Sequence, residues 1–482
     1  MQLHPTEIDL GLDRIRQVAT RMQLLQPAKK VITVAGTNGK GSSVAMLSAI
    51  YQAAGYRVGT YTSPHLLHFN ERIQLGGQPV EDGQIVEAFA AIEQVRAKLA
   101  VKLTYFEFAT LAALFVFQQS ALDLAILEVG LGGRLDAVNI VDADVALITA
   151  IDVDHAEWLG HDRAQIALEK AGILRSGQWA VCSDSQPPHT LQPFAESLGV
   201  QWWQLGRDFQ WKALNSAQNS VSSHTGLGIL DKKSGVAQDG VWDFVWNPSA
   251  LRVKSSEGLS LQDLKNLPRP ALVGDFQLQN AAGVLAAIAG LQAVLPVTIS
   301  QIKQGLKQVQ HQGRLQWLRV FAPHSKNVES SAPLIQDWLL DVAHNPQSAQ
   351  ALADYLQKEG WVFQQAVFSV LADKEALPMV QALKPFIQTW HLAPLNQPRA
   401  QSLPVMQSVL QQAGISKSQV VVHDTIEQAV AACLKTEAKS SLAWGSFLTV
   451  SAVLSVLNAY VLPQKNTESH NTMSVSGDGR RT

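Results

Sequence analysis

The chain has 482 residues, of which 46% are hydrophobic and 16% are charged, and its formal net charge is -2 at pH 7. This length allows two or three domains of about 100–200 residues each, and the composition is typical of a folded globular protein. The near-neutral charge gives no electrostatic basis for a nucleic acid or an anionic membrane as the main partner.

The start of the chain, MQLHPTEIDLGLDRI, lacks the basic start and the apolar core of a signal peptide. No apolar run approaches the roughly 20 residues that a membrane span needs. The two cysteines, Cys182 and Cys433, are far apart and exclude a disulfide framework or a cysteine-rich metal site. A reducing, cytoplasmic location is therefore expected.

The first half of the chain alternates between short β-rich runs and helical patterns. Strands are predicted at residues 30–35, 57–61, 124–129 and 145–149, and helices at 41–54 and 104–118. The apolar runs are of the type that is buried in parallel sheets. Strand, helix and strand in this order predict an α/β fold, in which crossover helices connect the strands of a parallel sheet.

The stretch VAGTNGKGSS joins the first predicted strand to the first predicted helix. The common phosphate loop reads G-x-x-x-x-G-K-[ST]. Here Gly39 and Lys40 are present, but Val34 occupies the place of the first glycine, and Gly41 separates Lys40 from Ser42. Backbone N–H groups at a helix N-terminus favour a bound anion. The pattern therefore indicates a nucleotide site, and the alternative is a glycine-rich turn without a ligand.

Polar residues follow the predicted strands at three further places. Ser63 lies in TSPHL, Glu128 ends the run LAILE, and His155 lies in IDVDHAEWLG. Ligands of open α/β sheets bind beyond the carboxyl ends of the strands, and all three residue types can ligate a divalent cation. Taken singly, each is better explained by a simpler role: a turn serine, a solvated glutamate and a histidine bonded to its own loop. Their shared place beside the phosphate loop favours one common site.

After residue 313 the alternation of strands and helices begins again. Strands are predicted at residues 338–341, 366–371, 389–393, 420–423 and 442–444, and helices at 346–358, 375–385, 403–413, 425–434 and 447–462. This pattern predicts a second, smaller, Rossmann-like α/β domain.

The expected organisation has three parts. An N-terminal P-loop ATPase-type domain covers residues 1–312 and contains a polar insertion at about 207–264 with one or two hairpins. A C-terminal Rossmann-like domain covers residues 313–462. The polar tail, residues 463–482, is expected to be disordered.

Together, the motifs resemble those of the folylpolyglutamate synthase/dihydrofolate synthase family, the folate branch of the Mur ligase superfamily. The matching segments follow the family's order over roughly residues 8–462, apart from the insertion: IDLGL, VAGTNGKGS, TSPHL, TYFEFAT, LEVGLGGRLDAVNIVDADVALIT, DHAEWLG, EKAGI, QGRLQ, DVAHNP and GSF. The family's loop is GTNGKG followed by Ser or Thr, which accounts for the unusual spacing of VAGTNGKGSS.

The resemblance implies an ATP-dependent ligase. In this family ATP phosphorylates a carboxylate, and the amine of L-glutamate then attacks the acyl phosphate. Phosphorylation supplies the leaving group that a free carboxylate lacks, and metal ions together with Lys40 would neutralise the transferring phosphoryl group. The implied cofactors are Mg²⁺, as two ions, with ATP as co-substrate and a monovalent cation as a further expectation.

The resemblance also implies roles for particular residues. Lys40, His155 and Lys170 would be catalytic, and the metal ligands would be Ser63, Glu128 and His155. Lys170, in LEKAGI, corresponds to the family lysine that CO₂ carboxylates, and a carbamate would give a hard cation the oxygen ligands that it prefers. The implied ATP-binding residues are Thr37, Asn38, Gly39, Lys40, Gly41, Ser42, Asn280, Arg314 and Asp341.

Some of these residues have simpler explanations in their local sequence. Asn280 is locally better explained as a helix N-cap, and Lys170 as a solvated helix lysine. His344 and Ser446 would line the glutamate cleft between the domains. The chain departs from the family at Gln312, where relatives have proline, and at Leu448, where they often have histidine. A role that depends on that histidine cannot be transferred.

Segments near the N-terminus and in TYFEF resemble the pterin-site segments of bifunctional bacterial members. An aromatic such as Phe106 would pack on a pterin or aminobenzoate ring, although a core aromatic on an amphipathic helix is an equally good explanation. The implied lining is Ile8, Asp9, Leu10, Thr104, Tyr105, Phe106, Glu107, Leu135, Asp136 and Ala137. We therefore expect both dihydropteroate and reduced folates as substrates, with a monofunctional folylpolyglutamate synthase as the alternative.

Two hypotheses compete with the folate ligase. A Mur-type cell-wall ligase shares the loop and the aspartate region, but TYFEF and LGGRLDAVN argue against it. A non-catalytic nucleotide-binding module predicts the loss of a lysine or a metal ligand, and none is lost. The expected partners are small molecules only, namely dihydropteroate, reduced folates, L-glutamate and ATP, and the expected oligomeric state is a monomer.

Overall fold

The computed structural model of the protein describes residues 9–214, 240–247, 263–322 and 334–461. Ile8, most of the predicted insertion and the predicted tail lie outside these residues. None of the described helices is long and apolar enough to cross a membrane.

The described strands form three sheets of eight, three and six strands. Their bounds are β1 Ala28–Ala35, β2 Val58–Tyr61, β3 Ile73–Leu75, β4 Gln78–Pro79, β5 Leu122–Glu128, β6 Val145–Ile148, β7 Trp179–Cys182, β8 Gln201–Gln204, β9 Phe209–Leu214, β10 Val241–Trp246, β11 Leu264–Pro268, β12 Gln316–Ala322, β13 Leu334–Asp341, β14 Phe363–Phe368, β15 Ile387–Leu392, β16 Val420–Val422 and β17 Ser440–Trp444.

The α-helices lie between these strands in both halves of the chain. Their bounds are α1 Asp13–Arg21, α2 Lys40–Ala53, α3 Asp82–Leu99, α4 Tyr105–Gln119, α5 Ala156–Leu159, α6 Arg163–Ala171, α7 Leu191–Ser197, α8 Phe276–Leu291, α9 Ile299–Gln308, α10 Pro346–Glu359, α11 Ala376–Leu383, α12 Leu403–Gln412, α13 Ile426–Leu434 and α14 Phe447–Leu457.

The first sheet has the strand order β4-β3-β2-β5-β1-β6-β7-β8. Its pairings are parallel from β2 to β8, whereas β3 and β4 add antiparallel strands at one edge. A hydrophobic core covers each face of this sheet. Because successive side chains of a strand point to opposite faces, one strand contributes to both cores. In β5, for example, Ala125 and Leu127 belong to one hydrophobic core, while Leu124 and Ile126 belong to the other.

The part of the insertion that is described forms the small antiparallel sheet β11-β10-β9. Its aromatic side chains, including Trp242, Phe244 and Trp246, are buried in the same core as helix α8. Trp203 of the neighbouring strand β8 lies 5.0 Å from Trp246, centroid to centroid. The predicted hairpin content is therefore present, and the small sheet packs at the β8 edge of the first sheet.

The second sheet has the order β12-β13-β17-β14-β15-β16. Strand β12 pairs antiparallel with β13, and the other pairings are parallel. The predicted second α/β unit is thus present, and we refer to the parts around the first and second sheets as the N-terminal and C-terminal domains. The predicted boundary after residue 312 falls between α9 and β12 and stays a prediction.

Candidate active site

The VAGTNGKGSS stretch connects the central strand β1 to helix α2, as predicted. Gly39 has a left-handed φ of 91°, and a Cβ atom at this position would lie 2.4 Å from Asn280 Oδ1. Glycine is therefore required here both by the backbone and by the close approach of α8. The Thr149 hydroxyl donates to the Asn38 carbonyl over 2.8 Å, which fixes the loop against the end of β6.

Two lysines, the half-buried Lys40 and the buried Lys170, lie beneath this loop. Lys40 Nζ donates to the carbonyls of Gly36 and Thr37 over 3.0 and 3.1 Å, and Lys170 Nζ donates to the same Gly36 carbonyl over 3.1 Å. Burial lowers the pKa of both amines, and it lowers the pKa of Lys170 to about 7, with the Lys40 charge as a further cause. The local explanation of Lys170 as a solvated helix lysine is wrong, because its residue is only 3% exposed.

The three predicted metal ligands lie on one cleft together with both lysines. Glu128 is 5% exposed, and its carboxylate accepts from the Ser63 backbone N–H over 3.4 Å. Burial raises the pKa of Glu128, although the Lys40 charge opposes that shift. Burial also lowers the pKa of His155 to about 4, so its imidazole is neutral at pH 7 and free to act as a ligand.

These side chains do not form a complete metal cage by themselves. Among the described residues, no group of three or more His, Cys, Asp and Glu side chains is arranged to hold a metal ion. A cation at this cleft would need further oxygen ligands, such as a hydroxyl, phosphate oxygens or a carbamate.

A second cleft adjoins the first on the side of helix α8. It is lined by residues from both domains, among them six of the predicted ATP-binding residues: Asn38, Gly39, Ser42, Asn280, Arg314 and Asp341. Arg314 lines both clefts and therefore marks where they meet. Of the remaining predicted ATP-binding residues, Thr37, Lys40 and Gly41 line the first cleft.

Asn280 does not begin a helix. It lies inside α8, whose N-cap is Asp275, so the local N-cap explanation is wrong. Its amide donates to Gln277 Oε1 over 3.0 Å, and Gln277 Nε2 donates to the Ser42 hydroxyl over 3.2 Å. Gln277 was not singled out from the sequence, because a glutamine on an apolar helix carries no local signal of a site.

Asp341 ends strand β13 and is buried beside Arg314. Its two carboxylate oxygens accept from the backbone N–H groups of Leu315 and Ala343 over 2.9 and 2.8 Å. Burial raises its pKa, while the Arg314 charge opposes this shift. The Arg314 guanidinium also lies 5.2 Å from the ring centroid of Phe447, an arrangement typical of a cation–π contact. Asp341 thus orients the segment that carries Arg314 into the clefts.

The two residues predicted for the glutamate cleft have different positions. His344 lines the first cleft, where its Nε2 atom lies 3.2 Å from Asp154 Oδ2. Ser446 is the N-cap of α14, and its hydroxyl accepts from the Thr449 backbone N–H over 3.0 Å. Ser446 lines neither of these two clefts, and its place in a glutamate cleft stays a prediction.

Several of the predicted pterin-site residues meet at the start of helix α4. Thr104 and Glu107 form a reciprocal capping box, and Arg14 Nε donates to Glu107 over 2.9 Å. Glu107 is buried, and its other carboxylate oxygen has no hydrogen-bond partner among the described residues. The Phe106 ring lies 6.0 Å from that of Tyr61, and a Cβ atom at Gly130 would lie 2.6 Å from it. The Phe106 side chain is half-buried, so it remains available to an aromatic ligand.

The other members of this predicted lining differ in their exposure. Asp136 is buried and accepts from the backbone N–H groups of Leu131 and Val138 over 2.8 and 3.0 Å. It therefore holds the GLGGRLDAVN loop together. Ala137 is buried and Leu135 is half-buried. At the N-terminus, Asp9 forms an ion pair with Arg14, Leu10 is exposed and Tyr105 packs beside Arg72.

Two family models match the chain. The model described as Mur ligase middle domain matches residues 34–288, and the one described as Mur ligase, glutamate ligase domain matches residues 328–444. Together with the nucleotide-type loop and the two α/β sheets, these matches define a protein of the Mur ligase class.

Similar proteins with established names identify the family within this class. The dihydrofolate synthase/folylpolyglutamate synthase of Escherichia coli (strain K12) is 37% identical over 95% of this chain and 93% of the relative. Among solved structures, the Escherichia coli enzyme in complex with DHPP and ADP has a TM-score of 0.75 at 36% identity, with 95% of each chain covered. The bifunctional enzyme from Yersinia pestis, complexed with AMPPNP and Mn ion, has a TM-score of 0.74 at 36% identity, with 95% and 96% covered.

The chain belongs to the bifunctional dihydrofolate synthase/folylpolyglutamate synthase family. This membership confirms the resemblance predicted from the motifs, the predicted α/β fold class and the predicted function as an ATP-dependent folate ligase.

Proposed function

We propose that the chain adds L-glutamate to dihydropteroate, giving dihydrofolate, and adds further glutamates to reduced folates. The observation that carries this proposal is the convergence of the predicted residues on two adjoining clefts. Asn280, Arg314 and Asp341 come from distant parts of the chain, yet they line one cleft with the phosphate loop, while Lys40 and Lys170 lie in the other.

The proposed reaction has two steps. A carboxylate oxygen of the acceptor attacks the γ-phosphorus of ATP, and ADP leaves with the electron pair of the broken P–O bond. The amine of L-glutamate then attacks the acyl carbon, phosphate leaves, and the amine loses a proton. Lys40 and Arg314 would neutralise the phosphoryl charge, since both cations lie at the phosphate loop. Contacts between the domains would exclude water from the acyl phosphate.

The donor set fits a divalent cation. Glu128 is a buried carboxylate whose ionised form is disfavoured by burial, and a nearby cation would reverse that effect. We propose Mg²⁺, as two ions, with Ser63, Glu128 and His155 as ligands. When bound, Mg²⁺ would neutralise charge on the phosphate oxygens. A monovalent cation is a further expectation that carries no structural argument of its own.

Lys170 would complete this ligand set as a carbamate. An amine with a pKa of about 7 is substantially unprotonated at neutral pH, and only the free amine reacts with CO₂. The neutral amine attacks CO₂, an N–C bond forms and one proton is released, which gives an anion with two oxygen donors; the ammonium form must first lose a proton of its own. This change would reduce the repulsion between Lys170 and Lys40, which donate to the same carbonyl.

The decisive experiment is steady-state ADP release from the purified full-length chain. ADP release that requires L-glutamate and a divalent cation, with dihydropteroate and with tetrahydrofolate in separate reactions, would support the bifunctional proposal. Turnover with tetrahydrofolate but not with dihydropteroate would show that the chain is a monofunctional folylpolyglutamate synthase. Turnover with neither acceptor would contradict the proposal. We also propose that the protein is a monomer, which light scattering tests, and that it is located in the cytoplasm, which cell fractionation tests.

A further inference from the structure

Asp154, in the segment between β6 and α5, connects the two domains. Its carboxylate receives three side chains of the C-terminal domain: Lys374 Nζ at 2.5 Å, His344 Nε2 at 3.2 Å and Asn345 Nδ2 at 3.3 Å. Its neighbour in the sequence is His155, one of the proposed metal ligands. The segment that carries His155 is therefore held directly by the C-terminal domain.

The ion pair of Asp154 and Lys374 is buried. Their side chains are only 8% and 5% exposed. Removing one partner leaves a buried charge with fewer partners, which is unfavourable. Lys374 would keep Asp373, whose Oδ2 atom lies 3.5 Å from its Nζ atom.

A neighbouring amide pair extends the same contact to the phosphate loop. Asn38 Nδ2 donates to Asn345 Oδ1 over 3.2 Å, and Asn345 Nδ2 donates back to Asn38 Oδ1 over 3.1 Å. Asn38 Nδ2 also donates to Gln347 Oε1 over 2.6 Å. Asn345 therefore contacts both Asp154 and the loop of VAGTNGKGSS, so one group of C-terminal side chains reaches two segments of the N-terminal site.

We propose that Asp154 is a positioning residue that latches the C-terminal domain onto the N-terminal site. By binding Lys374, His344 and Asn345 together, it holds the cleft closed and fixes the segment of His155 relative to the phosphate loop. The kinetic consequence rests on the proposed ligase function, because closure would bring the C-terminal side chains to the acyl phosphate and exclude water from it. The structural consequence does not depend on that function.

The chain offers a matched control for this latch. Asp275 and Lys358 also join the two domains, at 2.7 Å, but their side chains are 46% and 51% exposed. Exposed ion pairs of this kind contribute little to stability. Lys374→Met and Lys358→Met therefore make the same chemical change at two interdomain pairs that differ in burial.

The test combines hydrogen–deuterium exchange with kinetics on the full chain. Asp154→Asn and Lys374→Met should each raise backbone exchange in the partner segment across the cleft, residues 371–375 and 152–159 respectively. They should also lower kcat/KM for L-glutamate by about tenfold or more, as expected for loss of a buried charge partner. The double variant should lose no more than the worse single variant, because both changes break one contact. Lys358→Met should change kcat/KM by less than about twofold.

Two outcomes would overturn the latch. Exchange across the cleft that stays at the wild-type level in both folded variants would show that closure does not need this pair. Independent, multiplicative losses in the double variant would show that Asp154 and Lys374 act separately. Thermal unfolding of each variant shows whether the protein is still folded, and so distinguishes misfolding from opening of the cleft. Lys374→Arg keeps the positive charge and should retain most of the exchange protection. If the wild type releases no ADP with any folate, the ligase proposal fails, but the exchange comparison still decides the latch.

Discussion

Lys40 and Lys170 donate hydrogen bonds to the same backbone oxygen, the carbonyl of Gly36. Lys40 begins helix α2 directly after the phosphate loop, and Lys170 comes from helix α6, on a different crossover. Two ammonium groups at one carbonyl repel each other, and this repulsion helps burial to lower the pKa of Lys170. The repulsion would be relieved if the Lys170 amine were converted into a group without a positive charge.

The first prediction concerns carboxylation of Lys170. With its pKa at about 7, the fraction of free amine rises as the pH increases from 6 to 8, so carbamate formation at fixed CO₂ should increase over the same range. Protein equilibrated with ¹³CO₂ should show a carbamate carbon by NMR. Lys170→Arg should lack this signal and lose activity, because guanidinium cannot form the carbamate. A wild-type enzyme that is fully active after removal of CO₂ and shows no carbamate would contradict the assignment.

The second prediction concerns Lys40. Lys40→Met should lower kcat by about 10²–10³-fold, the range found when one preorganised charge donor is removed from an active site. The fold should persist, because Met fits the space of the alkyl chain. Lys29→Met is the matched control: Lys29 is 69% exposed and pairs with Asp123 at the surface, so its loss should leave ADP release unchanged. Activity of Lys40→Met within tenfold of the wild type would show that the loop lysine is not needed.

The third prediction distinguishes a ligand role of Asn280 from a helix cap. Since the cap position of α8 is Asp275, Asn280→Ala removes no cap. It removes the contact at Gly39 and the hydrogen bond to Gln277, both next to the phosphate loop. We expect about tenfold weaker ADP binding by calorimetry, equivalent to about 1.4 kcal/mol. Unchanged ADP affinity together with a large loss of thermal stability would favour a purely structural role.

The fourth prediction concerns stability in acid. Burial lowers the pKa of His391 to about 4, with the charge of neighbouring His423 as a further cause, and the two ring nitrogens are 3.0 Å apart. The unfolded chain binds a proton at its ordinary pKa of about 6.5, so the contribution of His391 is fully present above that pH and is lost as the pH falls towards 4.

Urea unfolding at pH 7 and pH 5 measures this contribution. From pH 7 to 5 the free energy of unfolding should fall by up to about 2 kcal/mol on account of His391. His391→Gln should reduce the dependence on pH by a similar amount. An identical pH dependence in the two proteins would show that His391 does not titrate in this way. Burial also lowers the pKa values of His155 and His311. The unfolding free energy of His391→Gln should therefore still depend on pH, but less than that of the wild type.

Much of the fold was predictable because its signals are local. The strand predicted at residues 30–35 is β1, Ala28–Ala35, and the helix predicted at 346–358 is α10, Pro346–Glu359. Apolar periodicity and glycine-rich turns depend on neighbouring residues, so one sequence is enough to find them. Helix α3 and strand β12 were not predicted, although the buried residues Ile85, Ala88 and Ile92 of α3 recur at helical spacing.

The sequence alone determined the residue types of the site and their order, from the loop of Lys40 to Asp341, and through them the family. Only the tertiary structure decided which side chains meet. Lys170 reaches a carbonyl 134 positions away, and Lys374 reaches Asp154 across 220 positions. It also shows that the Ser446 side chain caps a helix and that the Asp136 carboxylate accepts from the loop of Leu131, contacts that no local pattern predicted. Such contacts arise when parallel strands place the loops at their carboxyl ends side by side, and no local period in the sequence records that juxtaposition.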